Sequence, residues 1–233
     1  MSKILVVGVY LANRPNTATH LSFEFAGSRS HEVVQRWVAL APNGEGRFDH
    51  PMTDLVVTDP TPKFVLLDQL LHDASEFDWV LLCDDDVEVG ANFIDELIRL
   101  CTCHDFALAQ PARTLDSFTD HPFVQILPGL QARLTRFVEI GPLTCIRRDA
   151  MKVLLPFRPE SGMGWGLDFV WPVRMEAAGL RMGIVDAVPI AHRIRKSVTG
   201  YTHSSAHLGM CAALANERHL TPDEAFTVLE AYA

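Results

Sequence analysis

The sequence predicts a single α/β domain whose mixed, mostly parallel sheet is flanked by helices. Short, wholly apolar runs alternate with segments that repeat apolar residues at helical spacing, which is the pattern of buried strands and amphipathic helices. Clusters of Gly, Pro, Asn and Asp separate these segments. The length of 233 residues and the hydrophobic content of 48% suffice for a sizeable core without disulfides or a structural metal.

This alternation runs along most of the chain. The apolar residues 79–83 predict a central strand, and a capping box at Thr221-Pro-Asp-Glu224 predicts a last helix that continues towards Tyr232. Residues 31–40 fit either a helix or a strand, and we favour a strand. The other predicted elements are strands at 3–9 and 54–58, helices at 64–75 and 92–100, a strand at 106–110, a loop at 114–129, a strand at 137–146 broken at Gly141-Pro142, a helix at 149–154, a loop at 160–166, a helix at 167–178, and strands at 181–185 and 188–191.

Composition and charge exclude several classes of protein. The 29 acidic and 20 basic residues give a formal net charge of -9, which argues against a large non-specific nucleic-acid surface. No apolar run approaches the ~20 residues that cross a bilayer, so we expect no transmembrane segment. The five cysteines are irregularly spaced and no secretory leader begins the chain, and we therefore expect a reducing, cytoplasmic location.

Three neighbouring carboxylates, Asp84, Asp85 and Asp86, directly follow the predicted central strand. Ligands of open α/β sheets bind at this end of the strands. Adjacent carboxylates repel one another unless a cation lies between them, and Mg²⁺ or Mn²⁺ prefers oxygen ligands. The triplet therefore predicts a divalent-cation site. The alternative is a solvated acidic turn that caps the next helix.

A glycine-rich loop, Gly162-Met-Gly-Trp-Gly-Leu-Asp168, brings an aromatic ring and a carboxylate to the start of a predicted helix. Asp168 alone would suit a helix cap, but a cap needs one suitable residue and not several glycines. We interpret the loop as one that lets backbone approach a ligand.

A histidine beside basic residues follows the last predicted strand. His192 precedes Arg193, Arg195 and Lys196, so a possible metal ligand lies next to charges that can neutralise a diphosphate. The alternative for these basic residues is a solvated surface.

In their order, these motifs resemble the nucleotide-sugar glycosyltransferases of the GT-A type, which have a Rossmann-like fold. The resemblance covers most of the chain and rests on the following pieces: residues 6–13, 63–68 and 79–86, Arg147-Arg-Asp-Ala150, Gly164-Trp-Gly-Leu-Asp168, Gly179 and His192. More narrowly, Gln110-Pro111, residues 137–140 and residues 165–168 resemble a little-characterised branch of glycosyltransferases. The resemblance implies a nucleotide-sugar and metal half at 1–110, an acceptor and catalytic half at 111–200, and a C-terminal loop and helix at 201–233.

The resemblance also implies roles for individual residues. Asp84 and Asp86 take the place of the Asp-x-Asp motif that binds metal and donor, with Asp86 the more direct ligand, and His192 completes the metal site. Asp168 matches the base of inverting members, although Leu167 stands where the family commonly has Glu. Further expected donor contacts are Asn13, Arg14, Lys63, Asp85, Trp165, Arg193 and Arg195.

The implied reaction transfers a sugar from a nucleoside-diphosphate donor to the hydroxyl of an unidentified acceptor, with Mn²⁺ or Mg²⁺ as cofactor. Two alternatives stay open. A metal-dependent nucleotidyltransferase would release pyrophosphate and would have a glycine-rich basic loop after the first strand, where this chain has Val9-Tyr-Leu-Ala-Asn13. A non-catalytic nucleotide- or carbohydrate-binding module would bind donor and metal without turnover.

Overall fold

The computed structural model of the chain describes residues 1–157, 162–196 and 203–233. Over these residues the strands are β1 (Lys3–Leu11), β2 (Glu32–Leu40), β3 (Thr53–Val57), β4 (Trp79–Asp84), β5 (Val87–Glu88), β6 (Phe106–Arg113), β7 (Ala132–Thr135), β8 (Leu143–Arg147), β9 (Arg181–His192) and β10 (Val228–Tyr232). The α-helices are α1 (Ala18–Ala26), α2 (Lys63–Leu70), α3 (Phe93–Cys103), α4 (Arg148–Leu154), α5 (Leu167–Ala177), α6 (His203–Asn216) and α7 (Pro222–Ala225). In these ranges no helix combines the length and the apolar character that a bilayer span needs.

The strands form a mixed sheet in the order β10-β7-β9-β6-β8-β4-β1-β2-β3, and β5 pairs with the end of β9. β1 is parallel to both β2 and β4, and β2 is parallel to β3, which is the strand order of one nucleotide-binding half of a Rossmann-type sheet. The other half is mixed, because β8 lies antiparallel between β4 and β6 while β6 is parallel to β9. The predicted single α/β domain with a mixed sheet flanked by helices is confirmed.

Apolar side chains fill both faces of the sheet. α1 and α3 cover one face, and α2, α4 and α5 cover the other. β1 lies between both layers, which explains why its sequence is a continuous apolar run and does not alternate. Gly8 at its centre has a packing role, because a Cβ there would lie 2.3 Å from the ring of Trp37 on β2.

Most of the predicted elements are confirmed, including the strand at 31–40 and the central strand. Residues 181–191 form one strand, β9, and not two. The strand predicted at 137–146 is shorter in the structure: β8 begins at Leu143, directly after the Gly141-Pro142 break. Two helices, α1 and α6, lie where no element was predicted. The first two residues of the loop predicted at 160–166 lie outside the described residues.

The last predicted helix is wrong beyond its first turn. The capping box is present, since the Thr221 hydroxyl accepts a hydrogen bond from the Glu224 backbone N–H and the Glu224 carboxylate accepts one from that of Thr221. The helix nevertheless ends at Ala225. The chain then forms β10, which pairs antiparallel with β7 at the edge of the sheet. Strand pairing therefore overrides the local helix signal here.

Candidate active site

The acidic triplet lies at the carboxyl end of the central strand β4, and its three side chains have different partners. Asp84 forms an ion pair with Lys63, the first residue of α2. Asp85 points towards the loop after β1. Asp86 Oδ1 lies 3.4 Å from Nε2 of His192, the last residue of β9. Residues predicted from separate parts of the sequence, Lys63 and His192, are thus brought to the same end of the sheet.

Asp85 is almost completely buried and holds together the loops around it. Its carboxylate accepts a 2.7 Å hydrogen bond from the backbone N–H of Leu11 and forms an ion pair with Arg195. Burial raises the pKa of Asp85 to about 6, against the opposing charge of Arg195. The Arg195 guanidinium also lies 3.1 Å from Asp86 Oδ2 and donates a 2.5 Å hydrogen bond to the carbonyl of Pro15. Arg195 therefore bridges Asp85 and Asp86.

The contact between Asp86 and His192 depends on the short strand β5, which pairs Val87 with His192. Nδ1 of His192 lies 3.3 Å from the backbone carbonyl of Phe118. A carbonyl can only accept, so a hydrogen bond here needs a proton on Nδ1, and Nε2 faces Asp86. Burial alone raises the pKa of Asp86, but the hydrogen bond with His192 and the nearby cations outweigh it and lower that pKa.

Asp86 and His192 fit a divalent cation as a pair of ligands. Among residues 1–157, 162–196 and 203–233, no three His, Cys, Asp or Glu side chains are grouped as a complete metal site. Mg²⁺ and Mn²⁺ commonly take one or two protein ligands and fill the remaining positions with water and substrate phosphates. A carboxylate oxygen and an imidazole nitrogen oriented by a carbonyl are suitable donors for that arrangement. Asp84 pairs with Lys63 and does not join them.

The other basic residues after β9 contact groups outside the acidic triplet. Arg193 is exposed and forms 2.8 Å ion pairs with both Glu88 and Asp116. Lys196 is exposed, with its Nζ 5.6 Å from the centre of the Phe118 ring. Of the predicted phosphate-binding cations, Arg195 contacts the buried acids and Arg193 is held by other carboxylates.

The remaining expected donor contacts line the same end of the sheet. Asn13 and Arg14 are exposed in the loop that follows β1. Lys63 is largely buried, and Gly141 passes close to its ion pair with Asp84: a Cβ on Gly141 would lie 3.3 Å from Lys63 Nζ and 3.3 Å from Asp84 Oδ2. A side chain at position 141 would therefore crowd this ion pair.

The glycine-rich loop packs against the start of α2. Gly164 has a φ of +82°, and a Cβ there would lie 2.2 Å from the Phe64 ring. The backbone N–H of Phe64 donates a 2.9 Å hydrogen bond to the Gly162 carbonyl. Trp165 is half-buried in the same loop. These contacts fix the loop next to Lys63, so the glycines serve packing as well as backbone conformation.

Asp168 lies in the first turn of α5 and is 7% exposed. It is not the N-cap, a position that Gly166 occupies with a φ of +92°. Within the described part of the chain Asp168 Oδ1 has no hydrogen-bond partner. Burial raises the pKa of Asp168 to about 7. This carboxyl can therefore exchange a proton near neutral pH, as a general base must.

A buried ion pair between Arg113 and Glu139 was not predicted. Glu139 Oε2 accepts a 2.5 Å hydrogen bond from Arg113, which also donates to the carbonyls of Phe118 at 2.8 Å and Gly141 at 3.0 Å. Burial raises the pKa of Glu139, the charge of Arg113 opposes this rise, and the charge of Asp168 adds to it. Arg113 thus connects the segment that orients His192 with the segment beside Asp84. The only sequence signal was a single acid within an apolar run.

Comparisons with known proteins bear on the fold. No protein-family model matches the chain, and no curated protein matches it either. Among solved structures, the chain matches GalNAc-T7 with UDP, GalNAc and Mn²⁺ at a TM-score of 0.60 and 10% identity, over 87% of this chain and 45% of that one. It matches S. aureus TarS at a TM-score of 0.59 and 12% identity, over 83% of this chain and 37% of that one.

A third match is S. aureus TarS 1-349 in complex with UDP-GlcNAc, at a TM-score of 0.57 and 13% identity, over 96% of this chain and 69% of that one. The chain spans less than half the length of the first two matched chains, 45% and 37%. At these identities the likeness concerns the fold. The chain has the α/β fold of the GT-A glycosyltransferases.

Proposed function

We propose that this chain is a glycosyltransferase that moves a sugar from a nucleoside-diphosphate donor to an acceptor hydroxyl. One observation carries the proposal: a buried Asp86–His192 pair and a buried Asp168 with a free carboxyl oxygen occur together in a sheet of the GT-A type. A binding module has no need to keep a carboxyl that titrates near pH 7 out of water, because burying an unpartnered polar atom costs stability.

The donor would bind across the carboxyl ends of β1 and β4. The likeness to structures that hold UDP and UDP-GlcNAc supports a nucleoside-diphosphate sugar as the donor class. In this proposal Asn13, Arg14 and Asp85 lie near the nucleoside, and the Lys63–Asp84 pair lies beside the sugar and phosphates. Trp165 offers an aromatic face for the sugar ring.

Asp86 and His192 would hold Mn²⁺ or Mg²⁺. The likeness to the GalNAc-T7 complex with Mn²⁺ supports a divalent cation of this class. When bound, the ion stabilises the negative charge that develops on the departing diphosphate. This chain adds its own cations: Arg195 would exchange its carboxylate partners for phosphate oxygens. Lys63, whose side chain is 18% exposed, provides an ammonium near the same region.

Asp168 would act as the general base of an inverting transfer. Its free Oδ1 accepts the proton of the acceptor hydroxyl as that oxygen attacks the anomeric carbon, and the bond from the anomeric carbon to the diphosphate oxygen breaks. The glycine-rich loop, packed on Phe64, would limit the access of water that otherwise hydrolyses the donor.

The first experiment is a thermal-shift panel of nucleotide sugars, each with and without Mn²⁺. A donor that binds the native state raises Tm, and we expect the rise to need both sugar nucleotide and metal. The donor found in this way is then incubated with a panel of hydroxyl acceptors. Release of nucleoside diphosphate supports the proposal. Release of pyrophosphate indicates a nucleotidyltransferase, and metal-dependent binding with no turnover for any acceptor indicates a binding module.

A further inference from the structure

The position of Arg195 has a consequence for how the site takes up a divalent cation. Its guanidinium contacts both Asp85 and Asp86, and its side chain is 12% exposed. A third contact, a hydrogen bond to the Pro15 carbonyl at 2.5 Å, fixes it in this position.

Arg195 competes for the same carboxylate that fits the metal. Asp86 Oδ2 is engaged by Arg195 at 3.1 Å and Asp86 Oδ1 faces His192 at 3.4 Å, so both oxygens have a partner. A divalent cation bound by Asp86 would lie next to a guanidinium of like charge at a site with little water to screen the repulsion. Metal binding therefore requires Arg195 to move away from Asp86.

A nucleoside diphosphate supplies the alternative partner that Arg195 needs. Phosphate oxygens accept the paired hydrogen bonds of a guanidinium as carboxylates do, and they carry more charge. We propose that Arg195 is an internal counter-cation that keeps the divalent metal off Asp86 until a nucleoside diphosphate draws it away. Metal and nucleotide then bind with positive coupling, and by linkage each strengthens the other by the same factor. This inference rests on the proposed function and concerns its order of binding.

The test measures Mn²⁺ binding to the full chain by electron paramagnetic resonance of the free ion, with and without UDP. For wild type we expect weak Mn²⁺ binding alone and at least about tenfold tighter binding with saturating UDP, within the usual range of coupling between sites. In Arg195→Gln, Mn²⁺ alone binds about tenfold more tightly than in wild type, and the effect of UDP shrinks by a similar factor.

Arg193→Gln is the matched control. It removes the same charge two positions before Arg195, from a side chain that pairs with Glu88 and Asp116 and not with Asp86. We expect the affinity of this variant for Mn²⁺ alone to stay within about twofold of wild type, because solvent and salt screen the repulsion between an exposed charge at position 193 and the metal. Equal tightening in both arginine variants would indicate a general charge effect and would overturn the inference.

Arg195→Lys covers the case in which Arg195→Gln does not fold, which circular dichroism would reveal. Lysine keeps the charge but lacks the planar fork that bridges two carboxylates. We expect it to bind Mn²⁺ alone more tightly than wild type. An affinity equal to that of wild type, with the UDP effect intact, overturns the inference and leaves the proposed function standing. Absence of Mn²⁺ binding by wild type even with UDP contradicts the proposed function itself.

Discussion

Asp168 is buried in the first turn of α5, and burial raises its pKa to about 7, which suits its proposed role as the general base. A base must have lost its proton, so kcat/KM of the transfer is expected to rise with pH with a midpoint at about 7, the pKa to which burial raises Asp168. Asp168→Asn should lower kcat by ~10²–10⁴-fold, because an amide cannot take the proton, while donor affinity changes little. Asp54→Asn, at an exposed site on β3, is the control. Steady-state rates from pH 5.5 to about 9 check both expectations; a variant with wild-type kcat would exclude Asp168 as the base.

Asp86 and His192 should determine the affinity for the metal. Removing either partner, in Asp86→Asn or His192→Ala, deletes one of two protein ligands, and we expect Mn²⁺ affinity in the presence of UDP to fall by more than about tenfold. His72→Ala is the control, since this side chain lies on the surface with an exposed fraction of 69%. Calorimetric titration of Mn²⁺ into the UDP-bound protein measures the difference. Unchanged affinity in both site variants would place the metal elsewhere.

The sequence contained most of the candidate site at the level of single residues, but not all of it. Asp86 and His192 were predictable because each follows a buried strand, and such ends meet at one edge of the sheet. Glu139 was not predictable, because its partner Arg113 lies far away in the chain and the pairing follows from the register of β6 and β8. The bridging position of Arg195 depends on the same kind of long-range geometry.

Among the elements, the glycine-rich loop makes a prediction about stability. Gly164→Ala adds a Cβ 2.2 Å from the Phe64 ring at a φ of +82°, so both packing and backbone oppose it. We expect a loss of about 1–3 kcal/mol in the free energy of unfolding. Gly90→Ala is the matched control, because a Cβ there meets nothing within 4 Å, and its effect should stay within about 0.5 kcal/mol. Urea unfolding of both variants measures the difference, and equal stabilities would contradict the packing role.

The elements also show where local signals are sufficient. Residues 79–83 were predictable as a strand because a short, wholly apolar run is covered on both faces, as β4 is. The segment after Thr221 carries an equally clear helix start, yet β10 follows within a few residues. A capping box determines where a helix begins and says nothing about its length, which here is limited by the pairing of β10 with β7.

For the whole molecule, the alternation of strands and helices predicted the fold class, whereas the strand order required the structure. Nothing local to β8 indicates that it lies between β4 and β6 and reverses the direction of the sheet. That insertion shapes the candidate site, because it brings Gly141, which precedes β8, next to the Lys63–Asp84 pair. The site is therefore a product of the topology as much as of the motifs.

Burying a carboxyl also affects the stability of the whole domain. The pKa of Asp168 is raised to about 7 in the folded chain from an ordinary value of 3.8, so the folded state holds this proton more tightly than the unfolded state. The resulting stabilisation is complete below pH ~4 and is lost as pH rises through about 7. Most other groups that titrate over the same range are common to wild type and Asp168→Asn and cancel in the difference between the two proteins. Glu139 does not cancel fully, because the charge of Asp168 raises its pKa.

We therefore expect the free energy of unfolding of wild type to fall, relative to that of Asp168→Asn, between pH 5 and 8. Urea unfolding at pH 5, 6, 7 and 8, in EDTA and without nucleotide, gives the difference directly. The curve for Asp54→Asn should run parallel to wild type, since that carboxyl is exposed. Parallel curves for wild type and Asp168→Asn would mean that Asp168 is ionised in the folded protein well below neutral pH. Burial would then not raise the pKa of Asp168, and the expected midpoint of the rise of kcat/KM with pH would lie correspondingly lower.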